Sequence, residues 1–260
     1  MSKIIAQGAE AKIILSNGFI IKDRISKKYR LKALDEKIIK QRTKSETKLL
    51  LKASEIINSP RPFFTPNFNK IKMPFIYGKR LSTNLDSFAL KKQEEICKII
   101  GMDIGKLHDA GIIHGDLTTS NMILVENSDK GLNKIDKKVK NKGTLIINHK
   151  SDERSEPISE REASNFAKQN CKTHNEQGCE LGNKFSIFFI DFGLGYISHK
   201  TEDKAVDLHL LKQALEAKHF KNWQILWKQV ENGYKNSKES SNIIERLKAV
   251  EKRGRYKDKY

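Results

Sequence analysis

Residues 112–124 place a short polar loop between two apolar runs. The loop reads His-Gly-Asp-Leu-Thr-Thr-Ser-Asn over residues 114–121, so Asp116 and Asn121 stand five positions apart. This is the spacing of a phosphotransfer loop, in which the aspartate positions the attacking oxygen and the asparagine holds a metal ion. We therefore predict that Asp116 is catalytic and that Asn121 is a metal ligand.

A second carboxylate follows an apolar run at residues 185–190, where the chain continues Asp191-Phe192-Gly193. The tripeptide alone is common, but its place after a strand-like run and downstream of the Asp116 loop makes it specific. Asp191 and Asn121 could share the Mg²⁺ ions that bridge the phosphates of ATP. We therefore predict Asp191 as a metal ligand, with ATP and Mg²⁺ as cofactors.

Lys22 and Glu46 are the candidates for a buried ion pair. Glu46 precedes Leu49 and Leu50 by three and four positions, so it shares the inward face of a helix, where a solitary carboxylate is costly. Lys22 shares a strand face with Ile20 and can also point inward. Each residue alone is more often at the surface. Because Lys22 and Glu46 occur in this order ahead of the phosphotransfer loop, we favour the buried ion pair over two separate surface residues.

Two further stretches are weaker candidates for ATP contacts. Gly8 lies in a turn of small residues that could cover phosphates, although it supplies one glycine where protein kinases have three, and an ordinary hairpin explains it as well. The apolar strand at residues 71–78 resembles a hinge between lobes. There we predict that Pro74, which has no N–H, contributes its carbonyl group and that Ile76 contributes its N–H. The alternative is a plain edge strand that ends at a proline.

The surrounding pattern predicts an α+β fold with two lobes, a small β-rich N-lobe at about 1–74 and a helical C-lobe at about 79–260. The predicted strands and helices are listed here in chain order: strands at 4–6, 12–15, 19–22 and 71–78, helices at 34–57 and 85–110, a strand at 185–190, a helix at 204–219 and two closing helices around 223–230 and 243–250. Asp207 lies within the apolar face of the helix at 204–219. We expect it to anchor the backbone of residues 114–116 by hydrogen bonds.

A polar tract at about 126–184 interrupts this pattern, and we predict a disordered surface insertion. It holds 12 lysine and arginine residues against 10 aspartate and glutamate residues. Cys171, His174 and Cys179 lie in it, but their spacing is poor evidence for zinc. A basic tail at about 252–260 follows the last helix, where a frayed end and an RNA or protein contact are equally good interpretations.

The composition favours a protein of the cytoplasm or nucleus. The 260 residues include 50 Lys+Arg and 32 Asp+Glu, a net charge of +18, which permits binding to polyanions such as RNA but fits a lysine-rich surface as well. Three cysteines suit a reducing compartment. No run of about 18 apolar residues is present, so we expect no membrane span.

In order along the chain, these residues match a protein-kinase-like fold, and the details resemble one family, the small atypical kinase subunit of the KEOPS (EKC) tRNA-modification complex, also called the Bud-thirty-two or p-fifty-three-related kinase family. The most specific match is the run at 114–121. The matching segments are Gln7–Ala11, Ile21–Arg24, Lys28–Arg30, Leu34–Asp35, Arg42–Thr43, His114–Asn121, Asp191–Leu194, Lys204–Leu208 and Arg253–Arg255. They cover nearly everything except the insertion.

The resemblance implies a Ser/Thr kinase and ATPase that supports a partner enzyme, one that grasps ATP and makes threonylcarbamoyladenosine in tRNA. It implies that Lys22 contacts the α and β phosphates, that Glu46 orients Lys22, and that tRNA meets the basic surface and the C-terminal tail. One departure is Pro74, which stands where the family usually has an acidic residue.

The parts that a protein kinase uses to dock peptide substrates are missing. Thr118 replaces the lysine that typical Ser/Thr kinases direct at the γ-phosphate, and Gly115 replaces the arginine of His-Arg-Asp. Without that arginine no cation stands beside Asp116 to receive an activation-loop phosphate, so we expect no switching by that route. Only 13 residues separate Gly193 from Asp207. The chain thus keeps the parts that bind and cleave ATP, and the resemblance implies an ATPase that also phosphorylates proteins weakly, including itself. Two alternatives are a RIO-like or small-molecule kinase, which usually carries extra helices, and a catalytically silent tRNA-binding scaffold.

Overall fold

An antiparallel sheet and one long helix form the N-terminal part of the molecule. The computed structural model describes residues 2–126 and 185–253. The sheet has the order β1-β2-β3-β4, and helix α1 connects its last two strands. The elements are β1 Ser2–Gln7, β2 Ala11–Ser16, β3 Phe19–Arg24, α1 Lys32–Ala53 and β4 Lys70–Pro74. The three predicted N-terminal strands are present, each slightly longer than predicted.

Strand β3 and helix α1 turn charged side chains toward each other. In β3, Lys22 and Arg24 are buried, as the alternation of side chains along a strand requires. In α1, Glu46 lies on the same buried face as Leu49 and Leu50, as predicted. The helix ends at Ala53, and residues 54–57 continue in hydrogen-bonded turns, so the predicted end at residue 57 was wrong by four residues.

Helices dominate the C-terminal part, where α3 packs against α5 and α4 packs against α6 around an apolar core. The helices are α2 Leu81–Asn84, α3 Leu90–Asp109, α4 Thr201–Lys218, α5 Trp223–Tyr234 and α6 Ser240–Lys252. The predicted α+β architecture is therefore present. None of the helices in the described ranges is both long and apolar enough to cross a membrane.

Short strands between these helices carry the loops that matter for function. They are β5 Lys79–Arg80, β6 Ile112–Ile113, β7 Met122–Glu126, β8 Phe185–Phe189 and β9 Tyr196–Ile197. One sheet has the order β5-β7-β8, and β6 pairs with β9. The polar loop leads from β6 into β7, and β7 pairs with β8, which the Asp191 segment follows, so the loop and this segment meet at the same end of the β7–β8 pair.

Besides the end of α1, further predicted boundaries need correction. The strand predicted at 71–78 ends at Pro74. The helix predicted from residue 85 begins at Leu90, because Leu85–Ser87 forms a single 3-10 turn and Phe88 is extended. Glu126 belongs to β7 and pairs with Phe185, so it is not part of the insertion. Lys252 belongs to α6 rather than to a tail. The rest of the predicted insertion and tail, residues 127–184 and 254–260, lies outside the described residues.

Candidate active site

Lys22 lies between two carboxylates that come from distant parts of the chain. Its Nζ donates to Glu46 Oε1 at 2.7 Å and to Asp191 Oδ1 at 2.7 Å. The Glu46 side chain is 1% exposed, whereas the Asp191 side chain is 48% exposed. The predicted pair of Lys22 with Glu46 is therefore present, and Asp191 extends it to the solvent side.

Arg24 is a member of this cluster that the sequence analysis missed. Its Nη2 donates to Glu46 Oε2 at 2.5 Å, so each carboxylate oxygen of Glu46 accepts from a different cation. Both side chains are almost fully buried. The signal that could have identified Arg24 is its position two residues after Lys22, which places both on the inward face of β3.

Asp191 is held as an anion in an unusual backbone conformation. Its φ angle is +64°, a left-handed value that non-glycine residues rarely adopt outside constrained sites. Burial opposes ionisation of its carboxyl group, but the charge and hydrogen bond of Lys22 outweigh burial and lower the pKa of Asp191. The carboxylate also accepts from the Gly193 N–H at 3.2 Å.

Gly193 is required by the closeness of this charged cluster. A Cβ atom at residue 193 would lie 2.9 Å from Asp191 Oδ1 and 3.3 Å from Lys22 Nζ. Any larger residue would therefore displace the Asp191 carboxylate or the Lys22 ammonium group.

Within the polar loop, Asn121 and Asp116 contact each other directly. Asn121 Nδ2 donates to Asp116 Oδ2 at 2.8 Å and to the Asp116 carbonyl at 2.9 Å. The amide nitrogen is thus used inside the loop, and the amide oxygen is the atom of Asn121 that can serve as a metal ligand.

The loop also fixes the residue before Asp191. The Ile190 N–H donates to the Asn121 carbonyl at 3.0 Å. His114 Nε2 lies 3.2 Å from the Ile190 carbonyl, and His114 Nδ1 accepts from the Asp116 N–H at 3.3 Å, so the proton of the neutral ring is on Nε2. Burial lowers the pKa of His114 and keeps the ring neutral. Both backbone groups of Ile190 are therefore held by the loop.

Asp207 anchors the start of the loop, as predicted. Its Oδ2 accepts from the His114 N–H at 2.8 Å, and its Oδ1 accepts from the Gly115 N–H at 2.9 Å. His108 Nε2 lies 3.2 Å from the same Oδ2. Burial opposes ionisation of Asp207, but the hydrogen bond and charge of His108 outweigh it and lower the pKa of Asp207. A buried carboxylate with three donors thus holds the backbone that leads into Asp116.

Gly115 has a structural reason that the sequence analysis did not give. Its φ angle is +78°, and a Cβ atom there would collide with the Leu194 carbonyl oxygen. The chain after Asp191 therefore packs directly on the loop at this point. It then forms β9 and passes into α4, with the Ser198 N–H donating to the Gly111 carbonyl at 2.8 Å. The 13 residues between Gly193 and Asp207 thus form the contact with the loop, strand β9 and the first turns of α4.

The remaining candidates, Gly8, Pro74 and Ile76, form no described hydrogen bond or ion pair with the charged cluster. The Gly8 N–H donates to the Ala11 carbonyl at 3.0 Å in the hairpin between β1 and β2, and a Cβ atom at residue 8 would lie 4.0 Å from the same carbonyl oxygen, without a clash. Pro74 ends β4, and Ile76 is buried beside it. Within residues 2–126 and 185–253, no hydrogen bond or ion pair links these three residues to Lys22, and their roles stay predictions.

The donor atoms fit Mg²⁺. Asp191 supplies a half-exposed carboxylate, and Asn121 supplies an amide oxygen, both of which are ligands that Mg²⁺ prefers. Among the described residues, no group of three or more His, Cys, Asp and Glu side chains is placed to hold a metal ion. Mg²⁺ in nucleotide sites is usually bound by one or two protein oxygens together with phosphates and water, and Asp191 and Asn121 would supply such protein oxygens.

Comparison with known proteins identifies the family. The KEOPS complex subunit Bud32 of Pyrococcus abyssi is 32% identical to this chain over 272 residues, which cover 99% of this chain and 97% of the relative. The chain belongs to the Bud32 family. The EKC/KEOPS complex subunit bud32 of Dictyostelium discoideum is also 32% identical and covers 98% of this chain and 83% of its own length. The family predicted from the motifs is confirmed.

Other comparisons add the fold and a longer relative. A probable bifunctional tRNA threonylcarbamoyladenosine biosynthesis protein of Methanococcus maripaludis is 30% identical over 97% of this chain, which spans 36% of that protein. The Rio2 kinase of Chaetomium thermophilum, solved with ADP, Mg²⁺ and phosphoaspartate, superposes with a TM-score of 0.51 at 12% identity and covers 96% of this chain and 69% of its own. The predicted kinase-like fold is confirmed. No family model matches the chain.

Proposed function

We propose that this protein is an ATP-dependent phosphotransferase that works mainly as an ATPase. The observation that carries the proposal is the position of Lys22, which lies 2.7 Å from both Glu46 and Asp191 while Asp116 and Asn121 face each other in the adjoining loop. A lysine paired with a helix glutamate, a metal-binding aspartate after a strand and an Asp–Asn loop are the functional set of kinase-like enzymes.

Each residue then has a defined task. Lys22 would bind the α and β phosphates, with Glu46 holding the ammonium group in place, and Asp191 and Asn121 would bind Mg²⁺. When it is bound, Mg²⁺ supplies positive charge that neutralises the phosphates. Asp116 would position a water molecule or a hydroxyl group and accept its proton. The turn at Gly8 would cover the phosphates, while the Pro74 carbonyl and the Ile76 N–H would contact adenine.

Hydrolysis is favoured over general protein phosphorylation by the segment after Asp191. Gly115 packs against the Leu194 carbonyl, and the chain passes through β9 into α4 without a further loop. A peptide-docking platform has no residues to form it between Gly193 and Asp207. Phosphorylation of proteins, including this chain itself, is therefore proposed as a weak Ser/Thr-directed activity.

The family suggests the setting of this reaction. Its members carry the names of KEOPS complex subunits, and a longer relative is named for tRNA threonylcarbamoyladenosine biosynthesis. We propose that the chain works in a KEOPS-like complex of the cytoplasm or nucleus, beside a tRNA-modifying partner enzyme that grasps ATP. The net charge of +18 supports contact with tRNA through the basic surface and the C-terminal tail.

The direct test compares ATP hydrolysis by the purified wild-type protein, D116A and the control E216A, which removes an exposed carboxylate from α4. D116A should lose hydrolysis and still bind tRNA, whereas E216A should keep both activities. Undiminished hydrolysis by D116A would contradict the mechanism. If the wild-type protein binds tRNA without hydrolysing ATP, a silent scaffold is the better interpretation.

The setting is tested in cells. Cells that lack the protein should lose threonylcarbamoyladenosine from their tRNA, and the wild-type gene, but not D116A, should restore it. Normal levels of the modified nucleoside in the deletion strain would favour a RIO-like or small-molecule kinase instead.

A further inference from the structure

The outer face of α1 carries a continuous row of lysines. Because the helix advances about 100° per residue, the five residues lie within an arc of about 120°. From the first lysine to the last is 15 helical steps of 1.5 Å, so the row is about 22 Å long. All five are exposed, and we call them the α1 lysine row: Lys37, Lys40, Lys44, Lys48 and Lys52.

In the part of the chain that the structure describes, no ion pair balances the charge of this row. Two carboxylates of the same helix, Asp35 and Glu46, are buried and paired elsewhere, which leaves Glu36 as the exposed acid of α1. By contrast, Lys204 and Lys212 pair with glutamates of neighbouring elements.

An unbalanced row works against the helix that carries it. Lysines at i and i+4, such as Lys40 with Lys44 and Lys44 with Lys48, repel each other and destabilise a helix. A helix face that only needs to be solvated is better served by mixed charges. The row therefore indicates a polyanionic partner that lies along α1.

An aromatic groove adjoins the middle of the row. Lys40 and Lys44 line it together with Lys70 and the rings of Phe64 and Phe68, and its volume is about 360 Å³. Phe64 is 93% exposed and Phe68 is 50% exposed. Aromatic rings that stand in water beside a track of cations are typical of surfaces that bind unpaired nucleic-acid bases.

We propose that the α1 lysine row and this groove form an RNA-binding surface of the N-terminal part. The lysines contact successive backbone phosphates, and Phe64 stacks on an unpaired base. The regular spacing of the charges and the exposed ring both favour RNA over an acidic polypeptide, which would match the charge but has no bases to stack. The inference rests on the proposed association with tRNA and assigns it a place.

The first test changes the charge. A K37Q/K40Q/K44Q/K48Q variant keeps residues of similar helix propensity, and a K91Q/K98Q/K218Q/K228Q variant removes the same charge from exposed positions of the helical part. Affinity for a tRNA transcript is measured at several salt concentrations. The slope of log K against log [salt] should decrease by about 3 in the row variant, because each phosphate contact contributes about 0.7 to 0.9. The control variant should change much less.

The second test changes the ring. F64A should weaken binding of an RNA duplex with a single-stranded tail by about fivefold or more and leave binding of a blunt duplex unchanged. F220A, which removes another exposed phenylalanine, is the matched control and should have no effect.

The outcomes separate this inference from the proposed function. Equal salt slopes in the two lysine variants would overturn the proposed RNA-binding surface. Binding to polyglutamate is measured as well. If the row variant loses that binding while F64A leaves RNA binding unchanged, the partner is an acidic polypeptide and the proposal is wrong. ATP hydrolysis is measured on the same preparations and should be unchanged in every variant. If the wild-type protein binds no tRNA, both the association and the surface are wrong, and the assignment of the ATPase site is unaffected.

Discussion

Replacing Asp207 by asparagine tests whether one buried carboxylate fixes the loop that carries Asp116. The carboxylate has two oxygens and three donors, the N–H groups of His114 and Gly115 and the His108 ring. Asparagine has one oxygen and one amide NH₂ group, so at least one donor would face another donor.

The expected cost follows from those contacts. Losing one buried hydrogen bond to a charged group costs about 1.5–3 kcal/mol, and leaving a buried N–H without an acceptor adds about 1–3 kcal/mol. Because the loop can relax in part, we expect D207N to lose about 2–4 kcal/mol of a total stability of about 5–15 kcal/mol. The urea midpoint should fall by about 1–2 M.

The assay combines urea unfolding with ATP hydrolysis. Hydrolysis by folded D207N should decrease by about tenfold to a hundredfold, because the backbone that leads into Asp116 is no longer fixed. The control is D203N on the same helix, where the carboxylate accepts from the Ser198 hydroxyl at 2.6 Å, and it should lose less than about 1 kcal/mol. A D207N protein with the wild-type midpoint and rate would refute the reasoning.

Three further predictions concern the same site. R24M leaves Glu46 Oε2 without its cation and should destabilise the protein by about 2–4 kcal/mol in urea unfolding. R24K should lose less stability, and a change below about 0.5 kcal/mol in R24M would contradict a buried ion pair. G115A should lose about 1–2 kcal/mol of stability from its left-handed φ alone and more from the contact with Leu194. G8A should leave the stability unchanged, and equal stability of the two variants would contradict the prediction. Since burial lowers the pKa of His114, the unfolded chain binds its proton more readily, so stability should be complete above about pH 6.5 and decrease as the pH falls below it. The lowered pKa values of Asp191 and Asp207 should add a further loss as the pH falls below about 3.9. The contribution of His114 is followed by measuring the urea midpoint from pH 8 to pH 5. If the midpoint of an H114Q variant falls with decreasing pH as steeply as that of the wild type, another group causes the loss of stability.

The residues that were predicted correctly have a signal in the local sequence. Glu46 shares its helix face with two leucines, and a buried carboxylate needs a cation, which indicated Lys22. The same reasoning applied to Asp207, a carboxylate within the apolar face of a helix. In each case periodicity gives the direction of the side chain, and the cost of an unpaired buried charge requires a partner.

The features that were missed depend on contacts between distant segments. Arg24 shares the inward face of β3 with Lys22, but its place in the sequence does not show that the second carboxylate oxygen of Glu46 lies within reach of it. Gly115 was interpreted as the loss of an arginine, whereas its glycine is required by the Leu194 backbone, which lies far along the chain. The start of α3 was placed too early because Phe88 and Ala89 carry no signal that ends a helical pattern.

The most direct test of the central claim is the Mg²⁺ dependence of ATP binding. In the wild-type protein Mg²⁺ should strengthen ATP binding, and in D191A it should have little or no effect, since a main metal ligand is gone. The control E46Q keeps both proposed metal ligands and should retain the Mg²⁺ dependence, although ATP binds more weakly when Lys22 is held less firmly. If D191A shows the Mg²⁺ dependence of the wild type, Asp191 does not bind the metal and the proposed site is wrong.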